Sequence, residues 1–233
     1  MTLILAAIAP ATILLIFFYK IDRFEPEPIK LLLLLYFLGM ISVIPILILE
    51  VILGAFNIFS YFDSDLTNLY DALIVAGFSE ELFKWAIIIV FVYRSKEFDE
   101  YLDGIVYCVF VSLGFATIEN ILYVIDGSYS VAFIRAFLSV PAHMLFGVSM
   151  GYYISISKFS TTKAMKSRYM ALALVVPILL HGAYDYFLMS RYTFLLIGFI
   201  PFMIWLWLHN VKRLKSYYEN AKLNFEYNHT NHS

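Results

Sequence analysis

Charge is what this chain has least of. Only 15% of its 233 residues are Asp, Glu, Lys or Arg, and 62% are hydrophobic, whereas an average soluble domain has about 25% charged and about 45–50% apolar residues. That balance implies an integral membrane protein. A formal net charge of −2 gives no sign of a nucleic-acid partner, and none is expected. Cys108 is the one cysteine and lies in an apolar run, so an internal disulfide is excluded and cysteine usage does not report the redox compartment. No connecting segment is long enough for a separate soluble domain, and there is neither an internal repeat nor a glycine-rich phosphate loop. The first apolar run has no basic residue ahead of it, since Lys20 and Arg23 follow it, and so reads as a retained helix rather than a cleaved signal peptide.

What the chain does have is long hydrophobic runs. Seven can be counted, at 2–19, 29–53, 69–93, 101–125, 131–156, 169–189 and 192–211, each close to the roughly 20 residues that cross a bilayer as a helix. The expected fold is all-α, a polytopic membrane bundle of about seven transmembrane helices. Pro10, Pro45, Pro141, Pro177 and Pro201 fall inside the runs, where neighbouring helices can satisfy the freed carbonyls. Tyr61, Tyr93, Tyr101, Tyr129, Tyr169 and Tyr192 sit near their ends, as interfacial aromatics do. The stretch 56–62 has the character of a segment lying along the outer interface.

Basic residues set the orientation, because they are retained on the cytoplasmic side. Lys20, Arg23 and Lys30, then Arg94 and Lys96, then Lys158, Lys163, Lys166 and Arg168, and finally Lys212, Arg213, Lys215 and Lys222 lie in alternate connections and the tail. The other connections hold only Arg191 and Arg135, the latter counted with the fourth connection although it falls just inside the fifth run. The N-terminus is therefore expected outside and the C-terminus inside. Residues 1–215 are expected to form the membrane domain and 216–233 a polar cytoplasmic tail that frays, carrying His229 and His232 without a metal.

Against this apolar background a few polar residues need a reason. Glu80, Glu81 and Lys84 lie in the middle third of the third run, and one charge at such depth costs about 2.5–3.5 kcal/mol on insertion scales. Glu80 and Lys84 are i, i+4 neighbours on one helical face, with Glu81 about 100° round from Glu80. A buried ion pair locking two helices and an active site are both compatible with that spacing. Glu119 and Asn120 follow in the fourth run, His143 in the fifth and His181 with Asp185 one turn later in the sixth. Gly147 and Gly151 read as a G-x-x-x-G packing face. At about 1.5 Å per residue, Glu80, Glu119, His143 and His181 all fall between the midplane and the outer leaflet. A shared depth is what one site requires.

Glutamates and histidines from separate helices supply the usual ligands of a divalent ion such as zinc, with a carboxylate left as general base. The metal ligands expected are Glu119, His143 and His181, with Glu80 or Glu81 acting on water; the spacing lets Asp185 fix the His181 ring, sit lower in the site or serve as a direct ligand. A metal-free site is the alternative, in which both histidines donate hydrogen bonds to the oxyanion. An ion- or proton-coupled transporter is the competing class, since intramembrane Glu, His and Lys also build ion pathways; the lack of inverted repeats speaks against it.

Four motifs in order carry a resemblance: E-E-x-x-K at Glu80, Glu81 and Lys84; F-x-x-x-E-N at Phe115, Glu119 and Asn120; H-x-x-x-G at His143 and Gly147; and H-G-x-Y-D at His181, Gly182, Tyr184 and Asp185. Through them the chain resembles, over nearly its whole length, the PrsW family of membrane-embedded proteases, related to the CAAX-endopeptidase-like group. The resemblance implies a bacterial plasma-membrane peptidase with Glu80, Glu81, Lys84, Asn120 and Asp185 among its catalytic residues. It also implies a substrate: a single-span, membrane-anchored anti-sigma factor cut first on its extracytoplasmic side, which leads to release of a sigma factor in a stress response.

Overall fold

The computed structural model describes residues 2–61, 64–125 and 129–230, without the side chains of His229 and Thr230. Apolar runs fold as helices because a backbone in lipid must satisfy its own hydrogen bonds, and no strand occurs among the described residues. In chain order come α1 (Thr2–Ile21), α2 (Ile29–Ala55), a short 3₁₀ turn (Ile58–Tyr61), α3 (Ser64–Tyr70), a π-helical segment (Asp71–Phe78), α4 (Ser79–Phe91), α5 (Tyr101–Ile125), α6 (Tyr129–Phe137), α7 (Ser139–Phe159), α8 (Lys163–Met189) and α9 (Thr193–Thr230). Six helical runs among them, counting α6 with α7, are long and apolar enough to cross a membrane. The continuous helical path from α3 through α4 supplies the seventh.

Burial sorts these helices into a centre and a ring. Nearly every residue of α5 from Leu102 to Thr117 is buried, and so is the stretch of α7 from Ser139 to Gly151. The outer helices turn large apolar side chains outward, such as Ile13 of α1, Ile44 and Val51 of α2 and Leu208 of α9. In water that pattern would be an aggregation surface; in a bilayer it is the lipid-facing side.

The centre is held by close backbone approach. A Cβ added to Gly151 of α7 would stand 2.5 Å from Ile105 Cα of α5 and closer still to the Gly104 carbonyl oxygen. At Gly147 it would meet Ser112 Oγ at 2.8 Å. The two glycines thus form the close-packing face that their spacing predicts, and Gly104, Cys108 and Ser112 are the matching stripe on α5.

Four features differ from the sequence reading. The third span starts at Ser64 and is not uniformly α-helical, because its middle adopts the wider π ladder just before Glu80. The fifth is broken at Leu138: the Pro141 ring has no N–H and clashes with the carbonyl four residues back, which ends α6 at Phe137. Arg135 therefore lies within a membrane-embedded helix and not in a connection. The tail expected to fray continues α9 as helix to Thr230, held by Tyr217, which is buried and stacks on Tyr152 with ring centroids 5.2 Å apart. In the second connection Phe56, Ile58 and Tyr61 are exposed, while Phe62 and Asp63 lie outside the described residues, as does His232.

Candidate active site

Local packing brings the motif residues together. The π segment closes onto α8 where Gly182 offers no side chain; a Cβ there would meet Leu73 Cγ at 2.9 Å and Leu73 Cα at 3.0 Å. That approach sets the first turn of α4 against the middle of α8, so that Glu81 Oε1 comes to 3.0 Å from His181 Nδ1. His143 reaches the same place from α7, its ring edge-on to that of His181 with centroids 5.2 Å apart. One potential donor atom from each of Glu80, Glu81, His143 and His181 lies within 4.8 Å of the others, and all four residues are buried.

The two imidazoles are oriented alike. His143 Nδ1 faces Glu80 Oε2 at 3.9 Å, and His181 Nδ1 faces it at 3.8 Å. Their other nitrogens point outward to carboxylates, His143 Nε2 to Glu119 Oε2 at 2.9 Å and His181 Nε2 to Asp185 Oδ2 at 3.3 Å. An Nε2–H that donates to a carboxylate fixes the tautomer and frees Nδ1 as a ligand or acceptor, as carboxylates behind metal-binding histidines do.

Lys84 sits inside the quartet. Its Nζ donates to Glu81 Oε1 at 2.8 Å and Glu80 Oε2 at 3.0 Å, and lies 3.3 Å from His143 Nδ1. Its remaining face lies 4.1 Å from the centre of the Phe115 ring, a cation–π contact that gives the first residue of F-x-x-x-E-N a role. The buried ion pair is therefore real, and it is part of the site rather than an alternative to it.

Two expected residues lie further out. Glu119 is not in the quartet; it bridges His143 and Arg135, whose Nη2 is 2.7 Å away. Asn120 turns from the quartet altogether: its amide donates to Ala7 O of α1 at 2.7 Å and its Oδ1 accepts from Arg135 Nε at 2.9 Å. Arg135, over the Tyr123 ring at 4.0 Å, was read from the sequence only as a connection charge. Glu50 of α2 was passed over as well, although a carboxylate within a lipid-length run was signal enough to find it.

A cavity of about 860 Å³ opens beside the quartet, lined among others by Ile46, Glu50, Glu80, Glu119, Arg135 and Asp185. Glu80 faces it, whereas Glu81 is fully buried behind. Its lining comes from the C-terminal parts of α2, α5 and α8, the N-terminal part of α7, the π segment, the start of α4 and α6, at the end of the bundle opposite the one that collects the basic residues.

The donor set fits a divalent ion. Two imidazoles and two carboxylates are the ligands zinc and its neighbours take, and Glu81 Oε2 is buried without a hydrogen bond. Such a quartet, buried in a membrane bundle beside a cavity of ligand size, has the parts of an intramembrane hydrolase.

The chain belongs to the PrsW family: residues 27–208 match the family described as "PrsW family intramembrane metalloprotease". It is 42% identical over 218 residues to "Protease PrsW" of Bacillus subtilis (strain 168), covering 92% of this chain and 96% of that one. It is 39% identical over 224 residues to "Protease PrsW" of Clostridioides difficile (strain 630), covering 94% and 93% respectively. The protein of the same description from Oceanobacillus iheyensis is 39% identical over 225 residues, 96% of this chain and the whole of that one. No solved structure matches it. The chain is thus an intramembrane peptidase and a multi-pass protein of the bacterial cell membrane, acting on protein in the bilayer, and the transporter alternative is set aside.

Proposed function

We propose that this chain is a zinc-dependent protease that makes the first cut in a single-span, membrane-anchored anti-sigma factor, near the extracytoplasmic leaflet. The observation that carries the reading is the common orientation of His143 and His181, Nδ1 toward Glu80 and Glu81 and Nε2 toward Glu119 and Asp185. His143, His181 and Glu81 would hold the metal; Glu119, expected as a ligand, would orient His143 instead. Bound there, the ion would supply Lewis acidity toward the scissile carbonyl.

The remaining steps belong to the side chains. Glu80, the carboxylate on the cavity wall, takes a proton from the attacking water and returns it to the leaving amide nitrogen. Glu119 and Asp185 hold their imidazoles through Nε2, and Arg135 keeps Glu119 in place from the far side. The apolar cavity walls limit bulk water and accept a helical substrate unwound near its outer end. The choice of an anti-sigma factor rests on the motif resemblance, and the outer position on the distribution of basic residues.

Purified protein and a single-span anti-sigma substrate test the proposal. Cleavage is expected to be lost in Glu80→Gln and on exhaustive chelation, and restored by zinc. Elemental analysis should find about one ion per chain in the wild type and in Glu80→Gln, and none in His143→Ala or His181→Ala. Cleavage by a preparation shown to be free of metal would remove zinc from the mechanism, and full cleavage by both Glu80→Gln and Glu81→Gln would overturn the catalytic assignment altogether.

A further inference from the structure

A second group of buried carboxylates lies at the other end of the bundle. Asp22 follows α1, Glu27 precedes α2, Glu100 precedes α5 and Asp103 stands in the first turn of α5. All four are buried, with relative exposures from 0% for Asp103 to 9% for Glu100. One oxygen from each of Asp22, Glu100 and Asp103 lies within 4.8 Å of the others. Along α5, at about 1.5 Å per residue, Asp103 is roughly 24 Å from Glu119, so the two groups are separate.

The hydrogen bonds show which oxygens are engaged. Asp22 Oδ2 accepts the Glu27 backbone N–H at 2.8 Å, and Asp103 Oδ2 accepts those of Glu100 at 2.8 Å and Asp99 at 3.0 Å. What remains is a set of bare acceptors: Asp22 Oδ1, Asp103 Oδ1 and Glu100 Oε1 are buried and accept no hydrogen bond, and neither does Glu27 Oε2, although the Glu27 carboxylate has the Tyr107 hydroxyl as a hydrogen-bond partner. Among the described residues, no Lys, Arg or His nitrogen is within ion-pairing distance of any of the four. Lys158, which feels the charge of Asp103, donates instead to the carbonyls of Tyr93 at 2.8 Å and Ser95 at 3.2 Å.

We infer that Asp22, Glu100 and Asp103, with Glu27 beside them, bind a hard divalent cation that fastens the α1–α2 connection to the start of α5. Buried carboxylate oxygens without donors or counter-charge need positive charge, and an all-oxygen set selects Mg²⁺, Ca²⁺ or Mn²⁺ over the zinc that suits imidazole. Burial pushes the Asp22 carboxyl up to about 6, Glu100 to about 7 and Glu27 to about 8, with neighbouring carboxylates adding to each. Protons are therefore the competing occupants. The cation is structural: it ties the α1–α2 connection to the start of α5 at the end of the bundle remote from the cavity.

Thermal unfolding of the full chain in detergent, after chelation, reads the site. Adding Mg²⁺, Ca²⁺ or Mn²⁺ at about 100 times its Kd should raise the midpoint by roughly 5–10 °C. The rise should persist in His143→Ala/His181→Ala, which separates it from the zinc proposal, and vanish in Asp22→Asn/Glu100→Gln. Because that double variant removes mutual repulsion, its metal-free midpoint should equal or exceed the wild type's. Should it fail to fold, Mn²⁺ paramagnetic resonance on His143→Ala/His181→Ala decides: about one bound ion per chain supports the site. No bound Mn²⁺, or an equal midpoint rise in Asp22→Asn/Glu100→Gln, overturns it.

Discussion

Replacing Gly151 by alanine tests whether the central helix contact sets the geometry of the active site. The added Cβ would stand 2.5 Å from Ile105 Cα, where ordinary contact begins at 3.4 Å, and every atom it meets first is backbone. Since backbone cannot rotate away, α5 and α7 must part by about 1 Å, the difference between those distances. Overpacking of this kind costs about 1–3 kcal/mol. Its functional effect should be larger, because α5 carries Glu119 and α7 carries His143, which meet at 2.9 Å. A misplacement of about 1 Å can reduce a rate about 100-fold. Gly54→Ala is the control: nothing lies within 4 Å of that position, so helix propensity alone should make it neutral or stabilising by up to about 1 kcal/mol. Unfolding midpoints in detergent and cleavage rates at equal protein concentration give both numbers. If Gly151→Ala cleaves and unfolds like the wild type, or Gly54→Ala is equally damaging, the contact does not set the site.

Other outcomes follow from the same structure. Lys84→Met should lower stability by about 3–5 kcal/mol, since it leaves Glu80 and Glu81 buried without their cation; Glu80→Gln in the same chain should restore part of that loss, measured by denaturant unfolding. Arg135→Met should reduce cleavage without removing the metal, because Arg135 touches Glu119 and Asn120 but no member of the quartet; loss of the ion on elemental analysis would count against this. Reporter fusions after Lys163 should behave as cytoplasmic and fusions after Ser64 as external, and the reverse would put the cavity in the inner half of the membrane.

The sequence carried the helices because lipid imposes a length and a polarity that can be counted, and it carried Glu80, Glu81, His143 and His181 because charge inside such a run has few explanations. Shared depth was enough to group them. It could not say which nitrogen each imidazole presents, and so could not separate Glu119, which stands behind His143, from the members of the quartet. Asn120 was grouped with Glu119 by adjacency, although neighbouring positions on a helix point about 100° apart and Asn120 faces α1. Arg135 was counted with a connection although it falls inside the fifth run, and only the fold shows that α6 carries it to Glu119. The carboxylates at the basic end escaped for another reason: Asp22, Glu27 and Glu100 stand at span ends, where acidic residues are ordinary, and only the fold reveals that they are buried together.

The π ladder between Asp71 and Phe78 also bears on how chain length can vary. In a regular helix, removing one residue turns everything beyond it by about 100°, which would swing Glu80 and Glu81 off His143 and His181. A π stretch already holds surplus chain for the distance it spans, so tightening it to an α ladder can absorb a deletion while α3 and α4 both keep their faces. Single-residue deletions should therefore be tolerated within 71–78 and abolish cleavage within 79–84, making the segment a length buffer built into the helix that bears Glu80 and Glu81.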